Sequence, residues 1–256
     1  MLDFKYFAGF VDADGSLTIH CNKTQDGMFR IYPKVHVGQV QRVVDNLKEL
    51  ADFYEVSVGF REVNSLHVVE LTGNKARRFL EAIKGHLVIK DELAEYILRL
   101  PECVGAVELK AIKQVIKSLR KKNQPTKQMP SRKWLAGYVD GDGCFYARCD
   151  KKGTLQPKLI IASSSDALAG LNLVKKAFGG CIMVKGNQAK YELFLSQTKV
   201  NEIHDHFCRH LRIKKTQAEL LKDYVGSGKS SKYNGATYEM NLSFAELLAT
   251  TKYEGR

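Results

Sequence analysis

The chain has 256 residues, 44% of them hydrophobic, with 40 Lys and Arg against 28 Asp and Glu, a net charge of +12 and a pI near 9.3. That apolar fraction supports a packed core, in one large domain or two ordinary ones, and excludes a disordered chain as the starting reading. The basic excess points to a polyanion, because cationic surface gains free energy by releasing counterions from DNA or RNA; general solubility is the other reading that charge alone permits. The six cysteines (Cys21, Cys103, Cys144, Cys149, Cys181, Cys208) form no C-x-x-C pair and have no histidine at zinc-ligand spacing, so zinc is not expected. MLDFKYFAGF lacks a basic stretch leading into a long apolar one, and no apolar run reaches membrane-spanning length. The expectation is no signal peptide, no membrane span, and reduced thiols in a compartment open to nucleic acid.

In chain order, Asp3 is a candidate N-cap for a helix through Phe4, Phe7, Ala8, Phe10 and Val11, and Gly15, straight after Asp14, is a candidate helix stop. SLTIHCN then alternates Leu17, Ile19 and Cys21 with Thr18, His20 and Asn22, and FRIYPKVHV alternates Phe29, Ile31, Val35 and Val37 with Arg30, Tyr32, Lys34 and His36. That is a hairpin with one apolar and one polar, basic face. Helical spacing returns over 40–53 (Val40, Val43, Val44, Leu47, Leu50). A second strand pair follows, with Arg61 and His67 expected on the outward face. Helices around Asn74–Lys84 and Leu87–Leu100 close the unit, read as an α-β-β-α-β-β-α order, and 104–120 reads as one more amphipathic helix.

KKNQPTKQMPSRK has two prolines and little apolar content, so it reads as a linker. The same grammar then restarts: a helix over Arg132–Asp142, a strand setting Tyr146, Arg148 and Asp150 opposite Phe145, Ala147 and Cys149, and another setting Gln156 and Lys158 against Leu155, Leu159 and Ile161. A helix at 166–178, strands near 181–185 and 190–195, helices from about 199 to 224 and a short helix near Ser243–Thr250 finish the chain. The fold class expected is α+β, with two pseudo-symmetric halves whose antiparallel sheets form a saddle. The division is 1–120, a linker at 121–131, and 132–256.

The restart is a repeat. FAGFVDADGS, Phe7 to Ser16, recurs as LAGYVDGDGC, Leu135 to Cys144, displaced by 128 positions or half of the 256 residues. His86-Leu87-Val88-Ile89-Lys90 recurs as His210-Leu211-Arg212-Ile213-Lys214, and Ala94-Glu95 as Ala218-Glu219, both displaced by 124. Loops absorb the four-residue difference, and two anchors in order mark a duplicated domain.

The D-x-D-G of each copy is not a calcium loop: Leu17 and Phe145 stand where that loop needs Gly, and Lys23 and Lys151 where it needs Glu. One reading is a Gly-capped helix end with exposed acids. The other starts from cost: a carboxylate in the last helical turn loses about 0.3–1 kcal/mol against the helix dipole, and its recurrence in both copies suggests a cation that offsets it. Small residues (Ala8, Gly9 and Ala13; Ala136, Gly137 and Gly141) line one side of each helix and allow close approach of the two. If the copies pack about a pseudo-twofold axis, Asp14 and Asp142 meet at one end. Carboxylates without His or Cys favour Mg²⁺, and paired carboxylates holding Mg²⁺ beside a basic surface suit phosphodiester hydrolysis.

These residues resemble the double motif of the LAGLIDADG homing endonucleases in their single-chain form. FAGFVDADG and LAGYVDGDG fit the nine-residue pattern with apolar changes only, and the repeated architecture extends the likeness across roughly residues 1–225. The resemblance implies a monomer, with no protein partner and no membrane, that binds a long, roughly palindromic double-stranded DNA target and breaks both strands with short 3′ overhangs. It implies Mg²⁺ as cofactor, two or three ions, with Mn²⁺ substituting and Ca²⁺ supporting binding without cleavage. The metal would sit on Asp14 and Asp142 with the carbonyls of Ala13 and Gly141, while Asp12 and Asp140 cap or brace the helix ends. Lys90 and Lys214 match the family's basic residue near the scissile phosphates. Gln39 matches the polar residue that positions the water network, for which the second half offers only Ser163. DNA contacts are expected from Thr18, His20, Asn22, Arg30, Tyr32, Lys34, His36, Arg61 and His67, and from Tyr146, Arg148, Asp150, Gln156, Lys158, Lys185 and Lys190. An RNA-binding, intron-splicing maturase of the same fold is the alternative. Family members are commonly encoded in organellar or archaeal introns, so a chloroplast or mitochondrion, or else the cytoplasm, is the expected location.

Overall fold

The computed structural model describes residues 2–40, 45–62, 65–121, 130–165, 168–231 and 235–251. In the first half, α1 (Phe4–Asp14) runs into β1 (Gly15–Lys23) and β2 (Phe29–Val40), followed by α2 (Asp45–Phe53), β3 (Val58–Arg61), β4 (Leu66–Thr72), α3 (Gly73–Ile83) and α4 (Asp91–Leu98). A two-residue strand, β5 (Cys103–Val104), and α5 (Ala106–Leu119) lead to the second half. There α6 (Arg132–Asp142), β6 (Gly143–Cys149), β7 (Leu155–Ser164), α7 (Ala169–Phe178), β8 (Cys181–Lys185), β9 (Gln188–Phe194) and α8 (Gln197–His206) repeat the plan. They are followed by α9 (Lys215–Leu221), a π-helical continuation over Lys222–Gly226, and α10 (Tyr238–Thr251).

Each half is one antiparallel sheet under a layer of helices, in strand order β1-β2-β4-β3 and β6-β7-β9-β8, with β5 on β2. The two sheets share one register. Gly15 lies opposite Val37 and Gly143 opposite Ile161, so β2 and β7 correspond at a displacement of 124. The alternation explains the layers: Leu17, Val35, Val37, Val69 and Leu71, with Phe145, Leu159, Ile161, Tyr191 and Leu193, are buried under the helices. Full burial of such side chains contributes about 1.5–3 kcal/mol each.

Several local expectations differ from the structure. Val40 ends β2 and the next helix starts at Asp45, while Val43, Val44 and most of the linker lie outside the described residues. The helix placed at 166–178 starts at Ala169, and its first expected positions also lie outside them. The last helix is longer than expected, starting at Tyr238. Gly15 and Gly143 stop their helices with extended backbone (φ −79° and −83°), not in the left-handed region. Both are glycines because of proximity: a Cβ would meet the carbonyl oxygen of Val11 at 2.7 Å and that of Val139 at 2.5 Å.

Two outward assignments fail. His67 pairs with Gln39 and Phe60, in register with Val37–Val69, so it belongs to the helix-covered face, and its ring lies 5.0 Å from that of Phe60. Asp150 lies past the end of β6 and holds the following turn, its Oδ1 accepting from the amides of Lys152 and Thr154 at 2.9 Å each. The other expected contacts stand in two continuous outward rows: Thr18–Lys34, His20–Tyr32 and Asn22–Arg30 with His36 and Arg61, and Tyr146–Lys158 and Arg148–Gln156 with Lys185 and Lys190.

Candidate active site

The contact between α1 and α6 is the most extensive between any two elements. It depends on glycine. A Cβ on Gly9 would lie 1.8 Å from the Trp134 carbonyl oxygen, one on Gly137 2.1 Å from that of Tyr6, and one on Gly141 2.4 Å from Ala13 Cβ. The two helices therefore meet backbone to backbone at Gly9 and Gly137, which brings the two last acids to one end.

The first acid of each motif is buried and fully occupied. Asp12 accepts from the backbone amides of Val88 (2.8 Å), Ile89 (3.1 Å) and Lys90 (2.8 Å). Asp140 accepts from those of Arg212 (2.7 Å), Ile213 (3.1 Å) and Lys214 (2.9 Å). The repeated H-L-x-I-K is thus the loop that these carboxylates fasten. The fourth donor crosses between halves: Trp134 Nε1 donates to Asp12 and the Tyr6 hydroxyl to Asp140, each at 2.8 Å. Both donors stand at the same motif position, a displacement of 128. Sequence reasoning missed them, although an aromatic N–H or O–H donor at that position of both copies was the available signal. Further links between halves are Lys133 to Asp3 at 2.8 Å, Arg212 to Glu49, and the Arg212 guanidinium 4.3 Å above the Tyr6 ring.

Lys90 points its ammonium into the end of α1, donating to the carbonyls of Val11 (2.6 Å), Asp12 (2.8 Å) and Gly15 (2.7 Å), and at 3.4 Å to that of Ala13. Lys214 likewise donates to the Asp140 carbonyl. The Asp12, Ala13 and Asp140 carbonyls lie in the last turns of α1 and α6, where a cation is favoured, while the Val11 carbonyl also accepts from the Gly15 amide and Gly15 already belongs to β1. Burial pulls both lysines below their ordinary range, and the surrounding aspartates oppose that pull.

The second acids differ from the first. Asp14 keeps part of its side chain exposed while its carboxylate is set inward, accepting from Gln39 Nε2 at 2.5 Å. Asp142 is half-buried beside a cleft of about 270 Å³ lined by Lys90, Arg120, Tyr138 and Ser163 among others. Ser163 occupies the register position of Gln39, two residues beyond the partner of the motif glycine in each sheet. Burial raises the Asp142 carboxyl to about 7, helped by the charge of Asp14 and opposed by Lys90 and Lys214. Asp14 is also raised by burial, with both lysines and Gln39 opposing.

A buried carboxyl whose proton affinity is raised further by a second carboxylate marks a site in want of positive charge. No group of three or more His, Cys, Asp or Glu side chains suited to a metal ion occurs among the described residues. A cation here would take one or two carboxylates, backbone carbonyls and waters, the set that suits Mg²⁺. Ala13 and Gly141 immediately precede the two acids, and Lys90 makes its longest contact to the Ala13 carbonyl. The donor set fits the ion.

The geometry defines a class: a two-half α+β protein joined through paired motif helices, with one carboxylate from each at the shared end. Residues 135–218 match the sequence model of the LAGLIDADG endonucleases. The whole chain has the fold of solved single-chain LAGLIDADG homing endonucleases. The I-SmaMI enzyme bound to cleaved DNA aligns with a TM-score of 0.71 at 16% identity, over 100% of this chain and 98% of that one. I-GzeII in complex with its DNA target aligns at 0.66 and 16% over 98% and 97%, and I-CpaMI bound to uncleaved DNA at 0.65 and 17% over 98% and 99%. No curated protein matches the sequence. No helix among the described residues is long and apolar enough to cross a membrane.

Proposed function

We propose that this protein is a site-specific DNA endonuclease that breaks both strands of a long, roughly palindromic target in a Mg²⁺-dependent reaction, leaving short 3′ overhangs. The observation that supports this best is the meeting of Asp14 and Asp142 at the common end of α1 and α6, between two sheets with polar, basic outward faces.

The two sheets lie in successive major grooves, where Thr18, His20, Asn22, Arg30, Tyr32, Lys34, His36 and Arg61 read one half-site. Tyr146, Arg148, Gln156, Lys158, Lys185 and Lys190 read the other. The central minor groove then passes over the ends of α1 and α6. Asp14, Asp142 and the carbonyls of Ala13 and Gly141 would hold Mg²⁺, which would supply charge stabilisation for the attacking and leaving oxygens. The remaining work belongs to the chain. Gln39 fixes the Asp14 carboxylate and orders water on that side, with Ser163 in the corresponding place beside Asp142. Lys90 and Lys214 each brace the end of one motif helix, α1 and α6 respectively, and bring positive potential towards the scissile phosphates. Asp12 and Asp140 fix the loops that deliver those lysines.

The test is incubation of the full chain with a plasmid library and Mg²⁺, beside Asp14→Asn and Asp142→Asn. Wild type cuts a defined site in both strands and each variant binds that site without double-strand cutting; with the wild type, Mn²⁺ substitutes for Mg²⁺ and Ca²⁺ supports binding without cleavage. A wild type that cuts no target while binding intron RNA tightly would replace this reading with a splicing maturase.

A further inference from the structure

On each outward face a carboxylate stands between basic side chains of neighbouring strands. Glu70 of β4 holds Lys34 of β2 at 2.8 Å and Arg61 of β3 at 4.0 Å. Glu192 of β9 holds Lys158 of β7 and Lys190, each at 2.7 Å. These are the same place in the two halves: Lys34 lies opposite Thr18 as Lys158 lies opposite Tyr146, and Glu70 opposite His36 as Glu192 opposite Ile160. Both carboxyls are held below their ordinary range by these cations, so they are ionised.

Affinity for phosphate does not explain a carboxylate here, since negative charge on a surface that meets a polyanion opposes binding. Its recurrence at a twofold-related position calls for another role. In the major groove guanine presents two acceptors, N7 and O6, and its partner cytosine a donor, the N4 amino group. A lysine ammonium and a carboxylate held one hydrogen bond apart present the complementary order, donor then acceptor. The lysine alone discriminates poorly, being a mobile point charge; the ion pair fixes where it points.

We propose, resting on the DNA-binding reading of the sheets, that Glu70 and Glu192 are specificity-determining residues. Each accepts from cytosine N4 of a G·C pair at twofold-related positions of the target, with Lys34 or Lys158 donating to the guanine. Glutamine in the same place offers both a donor and an acceptor and turns the preference towards adenine.

The test is selection of bound sequences from a randomised duplex library in Ca²⁺, using the full chain as wild type, Glu70→Gln, Glu192→Gln and Glu70→Asp, with thermal melting to confirm folding. Wild type should select a G·C pair at one position in each half-site. Glu70→Gln should weaken that preference by about 10-fold or more in one half-site only, and Glu192→Gln in the other, so that each untouched half serves as control. Glu70→Asp keeps the charge and shortens the reach, so it should lose the same preference with an unchanged salt dependence. The inference is overturned if wild type selects a site with no G·C pair at related positions. It is also overturned if the Gln variants tighten binding to all duplexes with base preferences intact, which marks the carboxylates as charge screens. Selection of no sequence by the wild type would instead overturn the DNA reading, and this inference with it.

Discussion

Gly137→Ala tests the claim that the site is assembled by backbone contact. The added Cβ would lie 2.1 Å from the Tyr6 carbonyl oxygen and 2.8 Å from the Phe10 amide nitrogen, where real Cβ atoms essentially never come within 3.0 Å. Both neighbours are helix backbone, so no side chain can swing aside and α1 and α6 must separate by about 1 Å. A separation of that size takes the crossed bonds, Tyr6 to Asp140 and Trp134 to Asp12, from 2.8 Å past the reach of a hydrogen bond. Overpacking costs about 1–3 kcal/mol and each of the two lost bonds to a buried carboxylate about 1.5–3 kcal/mol, so a loss of roughly 4–9 kcal/mol is expected. That is a large part of the ~5–15 kcal/mol that holds a typical domain. The assay is urea denaturation beside Gly85→Ala, where a Cβ meets nothing within 4 Å and stability should move by less than about 0.5 kcal/mol. A Gly137→Ala midpoint equal to that of Gly85→Ala would refute the backbone-contact argument.

Trp134→Phe deletes one donor to a buried carboxylate while keeping most of the ring, and should cost about 1.5–3 kcal/mol in the same denaturation assay. Tyr6→Phe should behave alike at Asp140. The folded state holds the Asp142 proton to about 7 whereas an ordinary aspartate releases it near 3.8, so protonation favours folding. Metal-free stability should therefore fall as pH rises from about 4 to about 7, and melting temperatures of Asp142→Asn across that range should lack this decline. Affinity for the DNA target should fall by about 10³ or more between 50 and 200 mM salt, measured by titration of a labelled duplex; a flat response would argue against DNA across the basic faces.

Where periodicity decides the geometry, the sequence was legible. The period of two placed Thr18, Lys34, Tyr146 and Lys158 on outward faces, because alternation leaves no freedom within a paired strand. The doubled motif placed Asp14 and Asp142, and small residues marked the contact that brings them together. His67 fails for the same physical reason that Lys34 succeeds. Alternation fixes relative faces, and only the pairing of Gln39 with His67 says which face is outward. The short β5 was illegible because two residues have no period; it exists through its pairing with Phe29 and Arg30. The use of Lys90 was hidden too: a lysine in a repeated pentapeptide suggests a solvent-facing function, whereas its ammonium turns inward to carbonyls some 75 positions earlier in the chain. Such long-range contacts leave no local trace.

The crossed bonds also bear on how the molecule comes to fold. During synthesis the first half emerges with the fastening loop for Asp12 complete, yet Trp134 lies 122 positions downstream of the acid it must reach. Until α6 leaves the ribosome, α1 exposes Gly9 and a flat apolar strip with no partner. A first half released by truncation would hold a carboxylate short of one donor and a helix face suited to a second copy of itself. The distance along the chain makes native closure non-local and slow. The contact that unites the two acids is therefore also the stage at which an unfinished chain is most exposed to pairing with the wrong partner.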